Sequence, residues 1–202
     1  LSIGLIGKGL IGKTFLKQIQ QRQQTLRQQF DLDLQIRGIA DSRKMWLSDS
    51  GIELAGWETA FAEHAVPLDL EKFVEHMRPI HIPHAVIVEA TASNDLVPRY
   101  SQWLRAGVHI ISPNKKANSG SLATYQEIRA AAKTTNRHFL YSTNVGAGLP
   151  IVQTLRDLCS TGDKILQIQG ILSGTLSFIF NQFDGSRPFS QIVNEARERG
   201  YT

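Results

Sequence analysis

The sequence predicts an α/β chain, with a doubly wound parallel sheet over residues 1–144 and the opening of a second, α+β domain over residues 145–202. Three observations carry this reading. A short apolar run, residues 1–6, ends in Gly7-Lys8-Gly9-Leu10-Ile11-Gly12 and passes directly into a helical pattern. Strand-like and helix-like stretches then alternate, the pattern of a parallel sheet covered on both faces. At Val145-Gly146-Ala147-Gly148-Leu149-Pro150 the texture changes.

Taken in order, residues 1–6 read as a buried strand and residues 10–30 as a long helix that turns polar in its glutamine-rich second half, an exposed extension. Residues 34–40, 86–89, 108–112 and 137–142 read as further strands. Helical stretches at 70–77, 95–106 and 122–134 lie between them. Beyond the junction come a helix, a turn at Thr161-Gly162-Asp163 and a half-exposed strand over 164–172, where Ile165 and Ile168 alternate with polar positions. A turn at Ser173-Gly174-Thr175 then leads into helices at 176–183 and 189–199, the last ending at Gly200. The 164–172 strand has too few partners in this chain, so the parent protein is expected to be a homo-oligomer.

Composition narrows the function. The 202 residues are 42% hydrophobic and 20% charged, an ordinary globular balance. Lys+Arg exceed Asp+Glu by 22 to 18, but the surplus is dispersed and no basic face with interleaved aromatics forms, which argues against a nucleic-acid partner. Cys159 is the single cysteine and the six histidines fall into no ligand spacing, so neither a disulfide nor a zinc site is expected. No apolar run approaches the roughly 18 residues of a membrane span. A cytoplasmic protein without membrane association fits best. The chain opens at Leu1 inside an apolar run, which suggests a segment of a longer polypeptide.

The glycine loop sits where a Rossmann-type dinucleotide site requires it, after a strand and opening a helix. Gly7 permits the tight turn, Gly9 lets the backbone approach a pyrophosphate, and Gly12 allows close packing of helix on strand. Lys8, Leu10 and Ile11 complete the loop. At the end of the second strand Asp41 is placed to accept a ribose 2′-hydroxyl, as for NAD, and Arg43 to hold a 2′-phosphate, as for NADP; Asp41 as a helix cap is the plainer alternative. Thr91 follows the third strand, at the sheet edge where a cofactor lies, or else caps the next helix. Lys115 and Lys116 end the next strand; alternation along a strand sends at most one of them inward, to stabilise negative charge on a substrate oxygen. The glycines of residues 144–150 serve as a hinge or as a carbonyl-lined site.

Taken together, Gly7-x-Gly9-x-x-Gly12, Ser112-Pro113-Asn114-Lys115-Lys116-Ala117-Asn118, Asn144-Val145-Gly146-Ala147-Gly148-Leu149-Pro150, residues 170–177 and Gly200-Tyr201-Thr202 closely resemble the homoserine dehydrogenase family over essentially the whole chain. The long second helical half and the Asp41-Ser42-Arg43 segment are most similar to the dehydrogenase part of bifunctional aspartokinase/homoserine dehydrogenases. The resemblance implies interconversion of L-aspartate 4-semialdehyde and L-homoserine with NADP or NAD, a small-molecule substrate and an upstream aspartokinase. It implies cofactor contacts at Gly7–Gly12, Thr91, Lys115 and Gly200, with Lys115 also near the substrate. A monovalent cation would lie at Ser142, Val145, Ala147 and Leu149, although Ser142 stands where several relatives are acidic. The family's main acid/base lysine would follow Thr202, so residues 1–202 alone are expected to be inactive. A dinucleotide sensor without chemistry is the rival reading, and Lys115 beside a glycine-lined junction favours the enzyme.

Overall fold

The computed structural model describes residues 1–201. Every residue of β1 (Ser2–Ile6) is buried, as a strand must be when helices cover both faces of its sheet. The chain continues through α1 (Leu10–Phe30), β2 (Gln35–Ala40), β3 (Lys44–Leu47), α2 (Trp57–His64), β4 (Val66–Pro67), α3 (Leu70–His76) and β5 (Ala85–Glu89). A 3₁₀ turn at Val97–Arg99 leads into α4 (Tyr100–Arg105), β6 (Val108–Ile111), α5 (Lys116–Ser119), α6 (Leu122–Thr135) and β7 (Phe139–Leu140). A second 3₁₀ turn, Ser142–Asn144, closes a unit that spans Leu1–Asn144.

The strand order is β4-β3-β2-β1-β5-β6-β7. β2, β1, β5, β6 and β7 run parallel. The doubly wound parallel sheet gains two strands at one edge that the sequence reading did not place, β3 pairing antiparallel with β2 and β4 antiparallel with β3. The chain reverses there through a tight turn at Asp41–Lys44, which leaves no room for a crossover helix. β1 leads through α1 to β2 on one side and the chain later returns through α3 to β5 on the other, so a crevice opens beyond the carboxyl ends of these strands.

Alternating side chains supply both faces of the sheet. Ile3, Leu5, Ile36 and Ile39 pack against Leu16 of α1 and Trp57 and Phe61 of α2. On the other face Ile6, Ile87 and Ile110 pack with Phe73 and Met77 near α3, Trp103 and Leu104 of α4, and Ile128 of α6. Leu5 and Ile39 are fully buried, and each such side chain contributes about 1.5–3 kcal/mol relative to exposure. Gly4 and Gly38 allow this closeness, since a Cβ on either would meet Phe73 and Met77 side-chain atoms at 2.7–2.8 Å. α1 buries only Gly12 and Leu16, so its glutamine-rich half is exposed as expected.

The second unit, Val145–Thr202, contains α7 (Ile151–Ser160), α8 (Gly174–Gln182) and α9 (Phe189–Glu198). The strand expected over 164–172 is corrected: no ladder forms there among the described residues. Alternation alone does not make a strand, because backbone groups need a partner strand. Ser173 caps α8 by accepting from the Leu176 N–H at 3.2 Å, and Ile179, Ile192 and Ala196 form a small core between α8 and α9. Thr202, which ends the last resembling segment, lies outside the described residues. Among the described residues no helix is long and apolar enough to cross a membrane.

Candidate functional site

The three loop glycines stand in three different surroundings. Gly7 has φ +100°, and a Cβ there would stand 2.8 Å from Ala90 backbone atoms and from Thr91 Cγ2. A Cβ on Gly12 would lie 2.0 Å from the Gly7 carbonyl oxygen, so α1 can approach β1 only because this position is bare. Above Gly9 there is open space, with nothing within 4 Å of an added Cβ. Gly9 is the N-cap of α1 and offers no side-chain cap; the first turn carries no acidic residue. The leading N–H groups therefore remain available to an anion, which the 21-residue helix also favours through its dipole. Leu10 and Ile11 are exposed beside the loop.

A cavity of about 520 Å³ lies over the loop, lined by Gly7, Lys8, Gly9, Asp41 to Lys44, Ala90 and Thr91. The structure thus brings together most of the residues that the sequence singled out around the nucleotide. Lys8 Nζ stands 3.3 Å from Asp41 Oδ2 and 4.6 Å from the centroid of the Phe61 ring. Asp41 Oδ1 accepts from the backbone N–H of Arg43 and of Lys44, each at 2.8 Å. The helix-cap alternative for Asp41 is thereby corrected, since it caps the turn into a strand. Burial opposes ionisation of Asp41, but the two backbone N–H groups and Lys8 outweigh it and hold the carboxyl below the usual range. An adjoining hollow of about 280 Å³ adds Ile6, Leu68, Leu70 and Leu96 to Asp41 and Thr91. Sequence reasoning missed these leucines, whose hydropathy resembles that of any core position.

Thr91 Oγ1 accepts from the Ser93 N–H at 3.1 Å, and Ser93 Oγ accepts from Asp95 N–H at 3.0 Å. Both hydroxyls therefore shape a turn, while a hydroxyl that accepts still has a proton to give. Beneath this turn lies a polar cluster the sequence reading did not single out. Glu89 is fully buried, and so is Tyr100. Glu89 Oε1 accepts from the Thr91 N–H at 2.8 Å, and Oε2 accepts from Ser112 Oγ at 2.9 Å and from the Tyr100 hydroxyl. Tyr100 Oη is also 3.0 Å from Ser112 Oγ. Burial and the nearby Glu89 charge raise the Tyr100 pKa far above its ordinary value. A carboxylate taken out of water costs several kcal/mol unless its oxygens are satisfied, so the three donors, Thr91 N–H, Ser112 Oγ and the Tyr100 hydroxyl, are a structural necessity.

Beyond β6 the chain bends through Ser112, whose Oγ accepts from the Asn114 N–H at 3.0 Å. Asn114 Nδ2 donates to the Ser93 carbonyl at 2.8 Å, and its Oδ1 accepts from Lys116 N–H at 3.1 Å. Lys115 is the N-cap of α5 and Lys116 its first residue. The strand-alternation argument for these lysines is corrected, because β6 ends at Ile111. Successive side chains in helical backbone lie about 100° apart rather than opposite, and both lysines are exposed. Ser142 closes the first unit, while Val145, Ala147 and Leu149 open the second around a turn with φ +74° at Gly146 and +49° at Ala147. Gly200, at φ +74°, ends α9 in left-handed backbone, as a C-terminal glycine does. Among the described residues no group of His, Cys, Asp or Glu could hold a metal ion.

Two family models match the chain: "Homoserine dehydrogenase, NAD binding domain" over residues 7–142 and "Homoserine dehydrogenase" over residues 150–202. A chloroplastic bifunctional aspartokinase/homoserine dehydrogenase of Zea mays is 48% identical over the whole chain, which spans 22% of that protein. A bifunctional aspartokinase/homoserine dehydrogenase of Escherichia coli is 40% identical over the whole chain, which spans 25% of it. A hyperthermophilic archaeal homoserine dehydrogenase mutant, solved in complex with NADPH, superimposes with a TM-score of 0.79 at 20% identity, over 98% of this chain and 61% of that one.

Proposed function

The chain belongs to the homoserine dehydrogenase family, and from that premise we propose that its first unit binds a nicotinamide dinucleotide and that the full-length protein interconverts L-aspartate 4-semialdehyde and L-homoserine in amino-acid biosynthesis. The observation that carries the cofactor reading is the open space over Gly9 at the mouth of a cavity rimmed by Lys8, Arg43 and Lys44. The residues present fit the group. The first-turn N–H groups of α1 would hold the pyrophosphate. Ile6, Leu68, Leu70 and Leu96 offer an apolar slot for the flat adenine ring. Lys8, Arg43 and Lys44 favour a 2′-phosphate, hence NADP, because Asp41 is already engaged.

When bound, the nicotinamide supplies or takes up the hydride. Lys115, exposed at the start of α5, would hold its ammonium toward the substrate oxygen, where negative charge grows as the aldehyde is reduced. A second chemistry-free reading, a dinucleotide sensor, gives no reason for a cation at that position. By likeness to the bifunctional relatives, the parent polypeptide joins this chain to an aspartokinase.

The test is a fluorescence titration of the full-length protein with NADPH, repeated on Gly9→Val. The valine side chain occupies the space over the loop, so affinity should fall by about 100-fold or more, more than 2.7 kcal/mol of lost binding. Unchanged affinity would rule out this site.

A further inference from the structure

We infer that Glu89 is a positioning residue that holds two loops of the site from one buried carboxylate, setting cofactor affinity through one oxygen and turnover through the other. The inference rests on the cofactor reading above and goes beyond it, because the hydrogen bonds of the Glu89 carboxylate go to Thr91, Ser112 and Tyr100 rather than to the glycine loop or the lysines.

Its two oxygens serve two arms, which meet again where Asn114 Nδ2 donates to the Ser93 carbonyl at 2.8 Å. Oε1 accepts from the Thr91 N–H at 2.8 Å, and Thr91 lines both hollows assigned to the nucleotide. Oε2 accepts from Ser112 Oγ at 2.9 Å, and that same Oγ accepts from the Asn114 N–H at 3.0 Å. Asn114 immediately precedes Lys115 and accepts from Lys116 N–H through its own side chain. Tyr100 closes the cluster from α4 by donating to Oε2. The four side chains Glu89, Tyr100, Ser112 and Asn114 are each at most 4% exposed, so water cannot stand in for a lost partner. A buried carboxylate satisfied only by hydroxyl and amide donors fixes geometry, since hydrogen bonds to an ionised group are short and directional. Were packing its only purpose, an apolar side chain would serve the same site without needing partners. The carboxylate instead stands at the carboxyl end of β5, under the crevice where strand order reverses.

Each arm can be cut separately in the full-length protein. Glu89→Gln keeps the shape, but its amide has one oxygen; when that faces the two hydroxyls, its NH₂ meets the Thr91 N–H donor to donor. NADPH should then bind about tenfold more weakly and kcat should fall as well. Ser112→Ala leaves the Thr91 contact in place and removes the acceptor for the Asn114 N–H. There kcat should fall by about tenfold, while the Kd for NADPH measured by fluorescence stays within about twofold. A purely structural role predicts a lowered Tm with no such division between binding and turnover. The inference is overturned if Ser112→Ala weakens NADPH as much as it slows turnover, or if Glu89→Gln changes neither. Should Glu89→Gln fail to fold, the division in Ser112→Ala alone decides. If the unaltered protein binds neither NADPH nor NADH, the cofactor reading itself fails and takes this inference with it.

Discussion

Asp41 stands where an acid would select NAD by accepting the 2′-hydroxyl and repelling a 2′-phosphate, yet its oxygens are occupied. Lys8 pairs with Oδ2 at 3.3 Å, and the Arg43 and Lys44 N–H groups use Oδ1. Three cations and one carboxylate line the same cavity, an excess of two positive charges. The full-length protein is therefore expected to prefer NADPH to NADH. Arg43→Ala should raise the KM for NADPH by about tenfold or more and leave that for NADH nearly unchanged. Lys8→Ala should shift the ratio the same way by freeing Asp41 to repel the phosphate. Steady-state kinetics with both cofactors measure this; equal losses with the two would show that neither residue reads the phosphate. At this scale the tight turn at Gly7 and the close helix packing at Gly12 were legible, because each follows from the absence of a Cβ. Glu89 was not, since its partners Tyr100 and Ser112 lie 11 and 23 residues away in sequence.

Among elements, α1 was legible to the residue because Gly9 and the apolar spacing mark its start and Asp31 ends it in left-handed backbone. β3 and β4 escaped notice: four and two residues long, they show too little pattern to distinguish from loop. At the amino ends of β5, β6 and β7 three imidazoles cluster: the His109 and His138 rings stack 5.2 Å apart, and His84 lies tilted 6.0 Å from His109. His109 Nδ1 accepts from the His138 N–H at 3.1 Å, so that nitrogen must be unprotonated. Burial first, then the charges of Arg137, His138 and His84, lower the His109 pKa below 6.5. The folded state thus binds fewer protons here than the unfolded chain, and stability rises with pH through this interval. As pH falls below about 6.5, the neutral imidazole required by the fold costs progressively more. Melting temperature should therefore decline between pH 7 and pH 5, and His109→Gln should decline less steeply, since glutamine carries no titrating proton. Parallel Tm-versus-pH curves for the two proteins would refute a role for His109.

At the scale of the whole molecule, the two units differ in how well they bury their apolar side chains. The first has a core on each face of its sheet, whereas the second has Ile179, Ile192 and Ala196 as its buried centre. Along residues 164–172, Leu166 is 86% and Ile171 77% exposed, and no ladder satisfies the backbone among the described residues. Exposed apolar side chains on a segment whose backbone joins no ladder are a surface that proteins cover or lose to aggregation. Strand pairing is a property of at least two strands, and the sequence of one segment cannot supply the other. We expect these residues to pair in the full-length protein and the protein to be at least a dimer, its second unit facing its symmetry mate. Amides 164–172 should then exchange hydrogen slowly in the full-length protein, and Ile168→Asp should both speed that exchange and shift sedimentation toward the monomer. A single monomeric species at every concentration, with these amides exchanging freely, would mean that the segment stays unpaired and that the exposed leucines and isoleucines serve some other contact.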